Sequence, residues 1–279
     1  MTSAVKIHSR RAAPRRTLWL LTPVAWLLIV SSALVAGGCR AHSGDLLRVG
    51  VTPGPAEDIL HSVEPQLSRK RLQLKIITFS DYVQPNMALA SHDVDANLYQ
   101  NTVFLNQFNR DHQTHFVSLS RVYLPLMAIY PGRTKTLAAL KNGARIAVPN
   151  DPVNHDRAIL LLAKAGLLTV AQPDTSPLRI SANPRSLQLV ELDAAQLPRS
   201  LDDVDAAVIN ANFALDAGLS PARNALFAET RESPYANVLA VNADRQSDPR
   251  FRALAAALTS AATRAFITAH YGGAIYSAE

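Results

Sequence analysis

The feature of this sequence that most limits its possible folds is the alternation of short strand-like and helix-like segments along the chain. Short apolar runs predict strands, and the stretches between them carry apolar residues at helical spacing. The predicted strands cover residues 47–51, 72–78, 145–149, 188–192, 206–209 and 238–241, and a further strand is entered from a loop at 93–99. The predicted helices cover 56–70, where Pro65 is expected to kink or divide the helix, 82–90, and 156–165, with Gly166 as its stop. Strands that alternate with helices are typical of parallel α/β units, so an α/β fold is predicted.

The first 38 residues have the composition of a secretory signal. Five basic residues precede an apolar stretch over 18–35, and the small residues at 36–38 lead directly to Cys39, the one cysteine of the chain. A cysteine at this position is typical of a bacterial lipobox, in which the thiol receives a diacylglycerol and becomes the new N-terminus. We therefore predict a signal peptide at 1–38 and a lipid-anchored tether at 39–46.

An uncleaved transmembrane helix is the alternative, because the apolar stretch is close to the lower spanning limit of about 17 residues. Pro23, the small residues at the exit and the placement of Cys39 favour cleavage. Ala36 departs from the pattern, since lipoboxes usually carry Leu at that position. The predicted location is the cell envelope, as a lipoprotein held on the membrane by more than one acyl chain and facing the periplasm or the cell exterior.

Removing the signal changes what the net charge implies. The whole chain has 28 Lys and Arg against 22 Asp and Glu, a formal charge of +6. Without the signal, 23 basic residues remain against 22 acidic ones. A nearly neutral mature chain lacks the electrostatic footprint of a nucleic-acid-binding protein, so no nucleic-acid partner is predicted. Without a second cysteine, the mature chain must be stabilised by its core and not by intrachain disulfides.

Two Pro-containing segments, 123–133 and 221–234, resemble connections between domains. If the chain crosses at both, a first lobe comprises residues 47–125 and 230–279, and a second lobe comprises 126–229. Two α/β lobes joined by two crossover strands enclose a cleft, and clefts at domain interfaces are preferred ligand sites.

The sequence carries none of the common catalytic motifs. It has no G-x-S-x-G, H-E-x-x-H, P-loop or G-x-G-x-x-G pattern, and a lipid-modified cysteine cannot act as a nucleophile. His112 and His115 lie close together beside Asp111, but two histidines in a polar stretch without further ligands do not predict a metal site. We therefore predict a protein that is not an enzyme, with no catalytic residue, metal or cofactor.

A few residues instead suit the binding of a small zwitterion. Arg157 opens an otherwise apolar helix, where the helix dipole does not favour a cation, so it is either a bidentate clamp for a carboxylate or part of a structural ion pair. Asn210 ends an apolar strand, at the edge where ligands of α/β proteins collect, although a turn-forming Asn is equally compatible. The aromatic residues Tyr82, Tyr99 and Phe104 form either a pocket wall or part of the core.

Six segments of the mature chain, in order, resemble the methionine-binding lipoproteins of ABC importers, the NlpA lipoprotein family. They are 79–86 (FSDYVQPN), 93–100 (DVDANLYQ), 148–154 (VPNDPVN), 196–203 (QLPRSLDD), 207–210 (AVIN) and 232–237 (ESPYAN). The resemblance extends from residue 47 to about residue 274. It implies a type II periplasmic-binding-protein fold, with two α/β lobes and a ligand cleft between them.

The resemblance also implies a role for each candidate residue. The three aromatic residues would surround a thioether side chain, for which each sulfur–ring contact is worth about 0.3–1.5 kcal/mol. Arg157 would bind the ligand carboxylate, and Asn210 and Asn237 would complete the polar clamp on the amino-acid head. Asn101 departs from the family, which usually carries His at that position; an amide donates and accepts hydrogen bonds, but it is shorter and uncharged.

The sequence therefore predicts a lipid-anchored substrate-binding protein of an ABC importer. Its ligand would be methionine or a close analogue, and its partners would be a permease and an ATPase. The alternatives are a protein of the same fold that binds another apolar amino acid or a short peptide and, from other classes, a dehydratase-type enzyme or a surface interaction protein.

Overall fold

The computed structural model describes residues 45–172 and 177–278; the predicted signal and Cys39 lie outside these ranges. The strands are β1 Leu46–Val51, β2 Gln73–Thr78, β3 Ala96–Asn101, β4 Phe116–Pro125, β5 Ala128–Pro131, β6 Arg145–Pro149, β7 Thr169–Ala171, β8 Arg179–Ala182, β9 Gln188–Leu192, β10 Ala206–Ile209, β11 Phe227–Ala228, β12 Asn237–Asn242 and β13 Ile275–Ser277. The α-helices are α1 Pro55–Ser68, α2 Gln84–Ala90, α3 Thr102–His112, α4 Pro152–Lys164, α5 Ala211–Asp216, α6 Pro221–Asn224, α7 Pro249–Leu258 and α8 Ala261–Tyr271. Short 3₁₀ turns cover Ala194–Gln196, Arg199–Asp202 and Ala243–Arg245. Within the described ranges, no helix has the length and apolarity that a membrane crossing requires.

The first sheet combines the beginning and the end of the described chain. Its strand order is β13-β4-β12-β3-β1-β2, with β1 parallel to β2 and β3, and with β12 antiparallel to β3 and β4. Apolar residues of β1, such as Val49, pack against α1, α7 and α8 on one face. On the other face, α2 and α3 contribute Leu89 and Phe108 to a second apolar cluster. Burial of both faces fits the uninterrupted apolar run at 238–241 in the central strand β12.

The second sheet is formed by the middle of the chain. Its order is β11-β5-β10-β6-β9, in which β6 is parallel to β9 and β10 while β5 is antiparallel to β10 and β11. Helix α4 packs on one face through Leu161 and Leu162, and α5 packs on the other through Phe213. A separate antiparallel pair, β7 and β8, lies outside this sheet.

The chain passes between the sheets twice, after Pro125 at the end of β4 and again between β11 and β12. Each sheet has helices packed on it, so the predicted α/β fold with two lobes is confirmed. Parallel strands end in polar residues: Asn101 ends β3, Asp151 follows β6 and Asn210 follows β10. The carboxyl ends of parallel strands are where such folds bind ligands.

Two local predictions differ from the structure. Helix α1 runs unbroken through Pro65, because this proline is exposed and water can reach the carbonyl that it leaves unpaired. Helix α4 begins at Pro152 and not at residue 156, since Asp151 caps it and Pro152 fits its first turn. Arg157 therefore lies in the second turn of α4, so the prediction that it opens the helix is wrong.

Candidate ligand-binding site

A cavity of about 350 Å³, including its mouth, lies between the two sheets. All seven binding residues that the sequence singled out border it: Tyr82, Tyr99, Asn101, Phe104, Arg157, Asn210 and Asn237. The remaining lining residues are Gln100, Pro125, Asn154, Ala211 and Asn212. Both lobes therefore contribute to one cavity.

Three aromatic rings form an apolar wall of the cavity. The ring centroids of Tyr82 and Tyr99 are 6.0 Å apart, and Phe104 lies 6.1 Å from each of them in edge-to-face geometry. The Tyr99 hydroxyl donates to the carbonyl of Tyr82 at 2.8 Å. Burial raises the pKa of both tyrosine hydroxyls well above the ordinary value, so both remain neutral. The wall suits an apolar or polarisable ligand group.

Arg157 is the cationic side chain of the described cavity lining and is only 3% exposed. Its Nε donates to Oε1 of Glu229 at 2.8 Å, and its Nη2 donates to Oε2 of Glu229 at 2.5 Å and to the carbonyl of Pro125 at 2.8 Å. The Tyr235 ring centroid lies 4.4 Å from the guanidinium carbon. The structural ion pair that the sequence left open is thus present. Nη1 makes no hydrogen bond to any described residue.

Glu229 gives this site its charge balance. It is 7% exposed, and its Oε2 also accepts the backbone N–H of Met127 at 2.9 Å. A buried ion pair is maintained only when both partners have their hydrogen bonds. Because the carboxylate neutralises Arg157, the pair has no net charge, and the cavity suits a zwitterion better than an isolated anion.

Asn210 offers a buried acceptor. Its Nδ2 donates to Oδ1 of Asn154 at 2.8 Å, whereas its own Oδ1 has no hydrogen-bond partner among the described residues. Leaving a buried polar atom unpaired costs about 1–3 kcal/mol, which a ligand donor would recover. Behind it, the side-chain nitrogen of Asn154 donates to the carboxylate of Asp151. Burial raises the pKa of Asp151, and the hydrogen bonds from Asn154 act in the opposite direction.

Two further amides lie on the side of the first sheet. Asn237 donates its Nδ2 to the carbonyl of Tyr99 at 2.8 Å and to the hydroxyl of Tyr123 at 2.9 Å. Its Oδ1 accepts no hydrogen bond from the described part of the chain. Asn101 caps α3, since its Oδ1 accepts the backbone N–H of Phe104 at 3.0 Å. The helix therefore uses one of the two acceptor sites of the Asn101 oxygen, while its Nδ2 makes no hydrogen bond to the described residues.

Direct contacts between the lobes close the cavity. Tyr82, in the loop before α2, donates its hydroxyl to Oδ1 of Asn212 in α5 at 2.6 Å, and the Tyr82 ring lies 5.1 Å from that of Phe213. Gly54 has a φ of +96°, and a Cβ at this position would lie 3.3 Å from the carbonyl oxygen of Asn212. A glycine is suited to this approach because it adopts positive φ without steric cost.

Sequence reasoning did not single out Asn154, Asn212 or Glu229. Asn154 lies in segment 148–154, which carries the family resemblance, so its position was a usable signal. Glu229 carried no such signal in the sequence, because its partner Arg157 is 72 residues away in the chain and their contact depends on the tertiary structure.

Comparisons with known proteins agree with this architecture. The NlpA lipoprotein family model matches residues 47–278. The D-methionine-binding lipoprotein MetQ of Escherichia coli (strain K12) is 38% identical over 226 residues, which cover 78% of this chain and 83% of that protein. A nutrient binding protein from Burkholderia cenocepacia, solved bound to methionine, has a TM-score of 0.80 and 39% identity, covering 84% of this chain and 100% of that one. A periplasmic substrate-binding protein of an ABC transporter from Coxiella burnetii has a TM-score of 0.79 and 44% identity, and the match covers 83% of this chain and 100% of that one. These similarities confirm the predicted periplasmic-binding-protein fold, and the chain belongs to the NlpA lipoprotein family.

Proposed function

We propose that this chain captures methionine, or a close analogue, and presents it to the permease and ATPase of an ABC importer. The observation that carries the proposal is the combination, in one cavity, of a guanidinium, an amide oxygen without a partner among the described residues and an aromatic wall. The relatives described as methionine-binding, from Escherichia coli and Burkholderia cenocepacia, support the same ligand.

The polar side of the cavity fits an amino-acid head group. Nη1 of Arg157 would donate to the ligand carboxylate, and Oδ1 of Asn210 would accept from its ammonium. Oδ1 of Asn237 is a second acceptor for the ammonium. Since Glu229 already balances the charge of Arg157, a ligand without net charge adds none to the buried site.

The aromatic wall would hold the ligand side chain. A thioether is flexible and polarisable, so it adapts to the rings of Tyr82, Tyr99 and Phe104. Another apolar amino acid remains the alternative, because an aromatic wall does not require sulfur. A peptide fits less well, since its second residue would have to displace the contact between Tyr82 and Asn212.

We also propose that the protein is a binder and not an enzyme. In the described lining, the ionisable side chains are two buried neutral tyrosines and an arginine that is held by Glu229. None of them is suited to proton transfer near neutral pH.

The two lobes would close around the ligand as units. We assign residues 47–125 and 230–279 to the first lobe and 126–229 to the second, with Cys39 and the tether at 39–46 holding the protein on the membrane. Mass spectrometry of the membrane fraction tests the anchor: the parent should carry a lipid on Cys39, and Cys39→Ser should appear unlipidated in the soluble fraction.

Isothermal titration calorimetry of the full chain in detergent tests the ligand. Heat is expected with L- or D-methionine, a smaller response with norleucine, which lacks the sulfur, and none with glutamate. The absence of heat and of a thermal shift with both enantiomers of methionine would contradict the assignment. Chemical conversion of the bound amino acid, detected by mass spectrometry, would contradict the non-enzymatic role.

A further inference from the structure

Three side chains form a continuous chain of hydrogen bonds from the N-terminus of α4 to the cavity. Oδ1 of Asp151 accepts the backbone N–H of Asn154 at 2.9 Å. The side-chain nitrogen of Asn154 donates to both oxygens of Asp151, at 3.1 and 3.0 Å, and Oδ1 of Asn154 accepts from Nδ2 of Asn210 at 2.8 Å. We call Asp151, Asn154 and Asn210 the amide relay.

The direction of these hydrogen bonds follows from the chemistry of the first member. An ionised carboxylate only accepts hydrogen bonds, so Asn154 must turn its NH₂ group towards Asp151. Its oxygen then faces Asn210, which must in turn offer its own NH₂ group. What remains of Asn210 is Oδ1, and this is the buried atom without a partner among the described residues. Asn154 and Asn210 are 4% and 6% exposed, so bulk water has little access to reverse either amide.

We infer that Asp151 is a positioning residue that sets the orientation of the Asn210 amide and thereby makes the cavity selective for a ligand with an ammonium group. The inference rests on the proposed function, because it concerns the head group of the same ligand. Asp151 is not itself in the cavity lining and acts through Asn154. Reversal of the relay would point an NH₂ group at the ammonium and replace an attraction by a repulsion between donors.

The variant Asp151→Asn tests the inference with little change in shape. Asn is as good a helix N-cap as Asp, so its Oδ1 can still accept the backbone N–H of Asn154. Its new NH₂ group, however, faces the NH₂ group of Asn154 and favours reversal of the relay. We expect methionine affinity to fall by about 10-fold or more, consistent with the loss of a charge-assisted hydrogen bond. The affinity for 4-(methylthio)butanoate, which lacks the amino group, should change by less than about 3-fold.

Asp248→Asn is the matched control, because Asp248 caps α7 through the backbone N–H of Arg250 and does not border the cavity. It should leave both affinities unchanged. An equal loss of affinity for methionine and for the deaminated analogue in Asp151→Asn would overturn the inference, since a merely structural role weakens both. Unchanged methionine affinity in a folded Asp151→Asn variant would also overturn it.

A second substitution tests the direction of the relay. In Asp151→Asn/Asn210→Asp the carboxylate is at the other end, so Asn154 can donate to Asp at position 210, whose second oxygen faces the ammonium. The preference for methionine over its deaminated analogue should return towards the parent value in this double variant. If the double variant is no more selective than Asp151→Asn, the relay is refuted.

A neutron structure of the ligand-free parent separates this inference from the proposed function, because it distinguishes an amide oxygen from a deuterated nitrogen. Oδ1 of Asn210 should face the cavity, and the reverse orientation would refute the relay whatever the ligand is. If that orientation is seen but the parent binds neither enantiomer of methionine, the proposed ligand fails while the relay stands.

Discussion

The pair of Arg157 and Glu229 predicts that one substitution will reduce both stability and binding. Both side chains are nearly inaccessible to solvent, at 3% and 7% exposure. Arg157→Met removes the cation and leaves the carboxylate buried without its partner, which typically costs about 3–5 kcal/mol of unfolding free energy. The same substitution removes the proposed donor to the ligand carboxylate, and the loss of about 2–5 kcal/mol corresponds to roughly 30-fold to several thousand-fold in affinity.

The double variant Arg157→Met/Glu229→Gln separates the two effects. It removes the uncompensated charge, and the Gln side-chain oxygen can still accept the backbone N–H of Met127. We therefore expect urea unfolding to recover most of the stability lost in Arg157→Met. Calorimetry should find methionine binding still weakened, because the donor to its carboxylate is absent.

Two results would refute this reasoning. Parent-like binding in the double variant would mean that Arg157 is a structural residue and that the carboxylate site lies elsewhere. Unchanged stability in Arg157→Met would mean that the buried carboxylate finds another partner or becomes protonated. Glu229→Gln alone serves as a control: it leaves the buried cation of Arg157 without its charged partner, so it should also lower the unfolding free energy.

The other predictions concern an interlobe contact, a helix cap and the buried carboxylate of Asp95. Tyr82→Phe removes the hydroxyl that donates to Asn212, so the affinity for methionine should fall by about 2- to 10-fold. Small-angle scattering of the methionine-saturated variant should give a larger radius of gyration than that of the parent. An unchanged affinity would contradict a role of this contact in closure. Asn101→His should lower the unfolding free energy by about 0.5–2 kcal/mol by removing the cap of α3, and it should narrow the ligand range in calorimetry; loss of all methionine binding in a folded variant would favour another ligand. Burial pushes the pKa of Asp95 upward, but hydrogen bonds from Arg48 and another arginine outweigh it and lower the pKa from 3.8 to about 2. Because the pKa of Asp95 is lower in the folded state than in the unfolded state, its carboxylate should contribute about 1–2 kcal/mol to the free energy of unfolding above pH 4. This contribution should be lost as the pH falls towards 2. In urea unfolding, Asp95→Asn should remove that part of the pH dependence.

The strands could be predicted from the sequence because apolar runs that are buried on both faces have few other possible conformations. Residues 145–149 and 206–209 are such strands and have the predicted bounds. Residues 188–192 also form a strand with the predicted bounds, although it lies at the edge of its sheet and is only partly buried. Helix α3 was missed, since its apolar positions are sparse and its start depends on a single cap by Asn101. The antiparallel pairing of β5 with β10, and of β12 with β3, was also not predicted. The direction of pairing depends on where the chain crosses between the sheets.

The sequence predicted which residues border the cavity, but it did not predict the hydrogen bonds that they make. The aromatic residues and the amides came from segments that resemble a known family, and all of them border the cavity. Their hydrogen-bond partners could not be predicted, because a side chain such as Asn101 is used equally well as a helix cap or as a ligand contact. The structure assigns its oxygen to the cap, and this limits what the substitution of Asn for the family's usual His means.

Arg157 shows why the choice between a structural and a binding role was open from the sequence. Its guanidinium has five donors, and three hydrogen bonds from Nε and Nη2 join it to Glu229 and to the carbonyl of Pro125. Pro125 ends β4, where the chain leaves the first sheet, and Glu229 follows β11, where the chain begins its return. The same side chain therefore links α4 to both crossings between the lobes, and its Nη1 has no hydrogen bond to the described residues. A ligand carboxylate at Nη1 would be held by a group that is already fixed in position, so little side-chain entropy would be lost on binding.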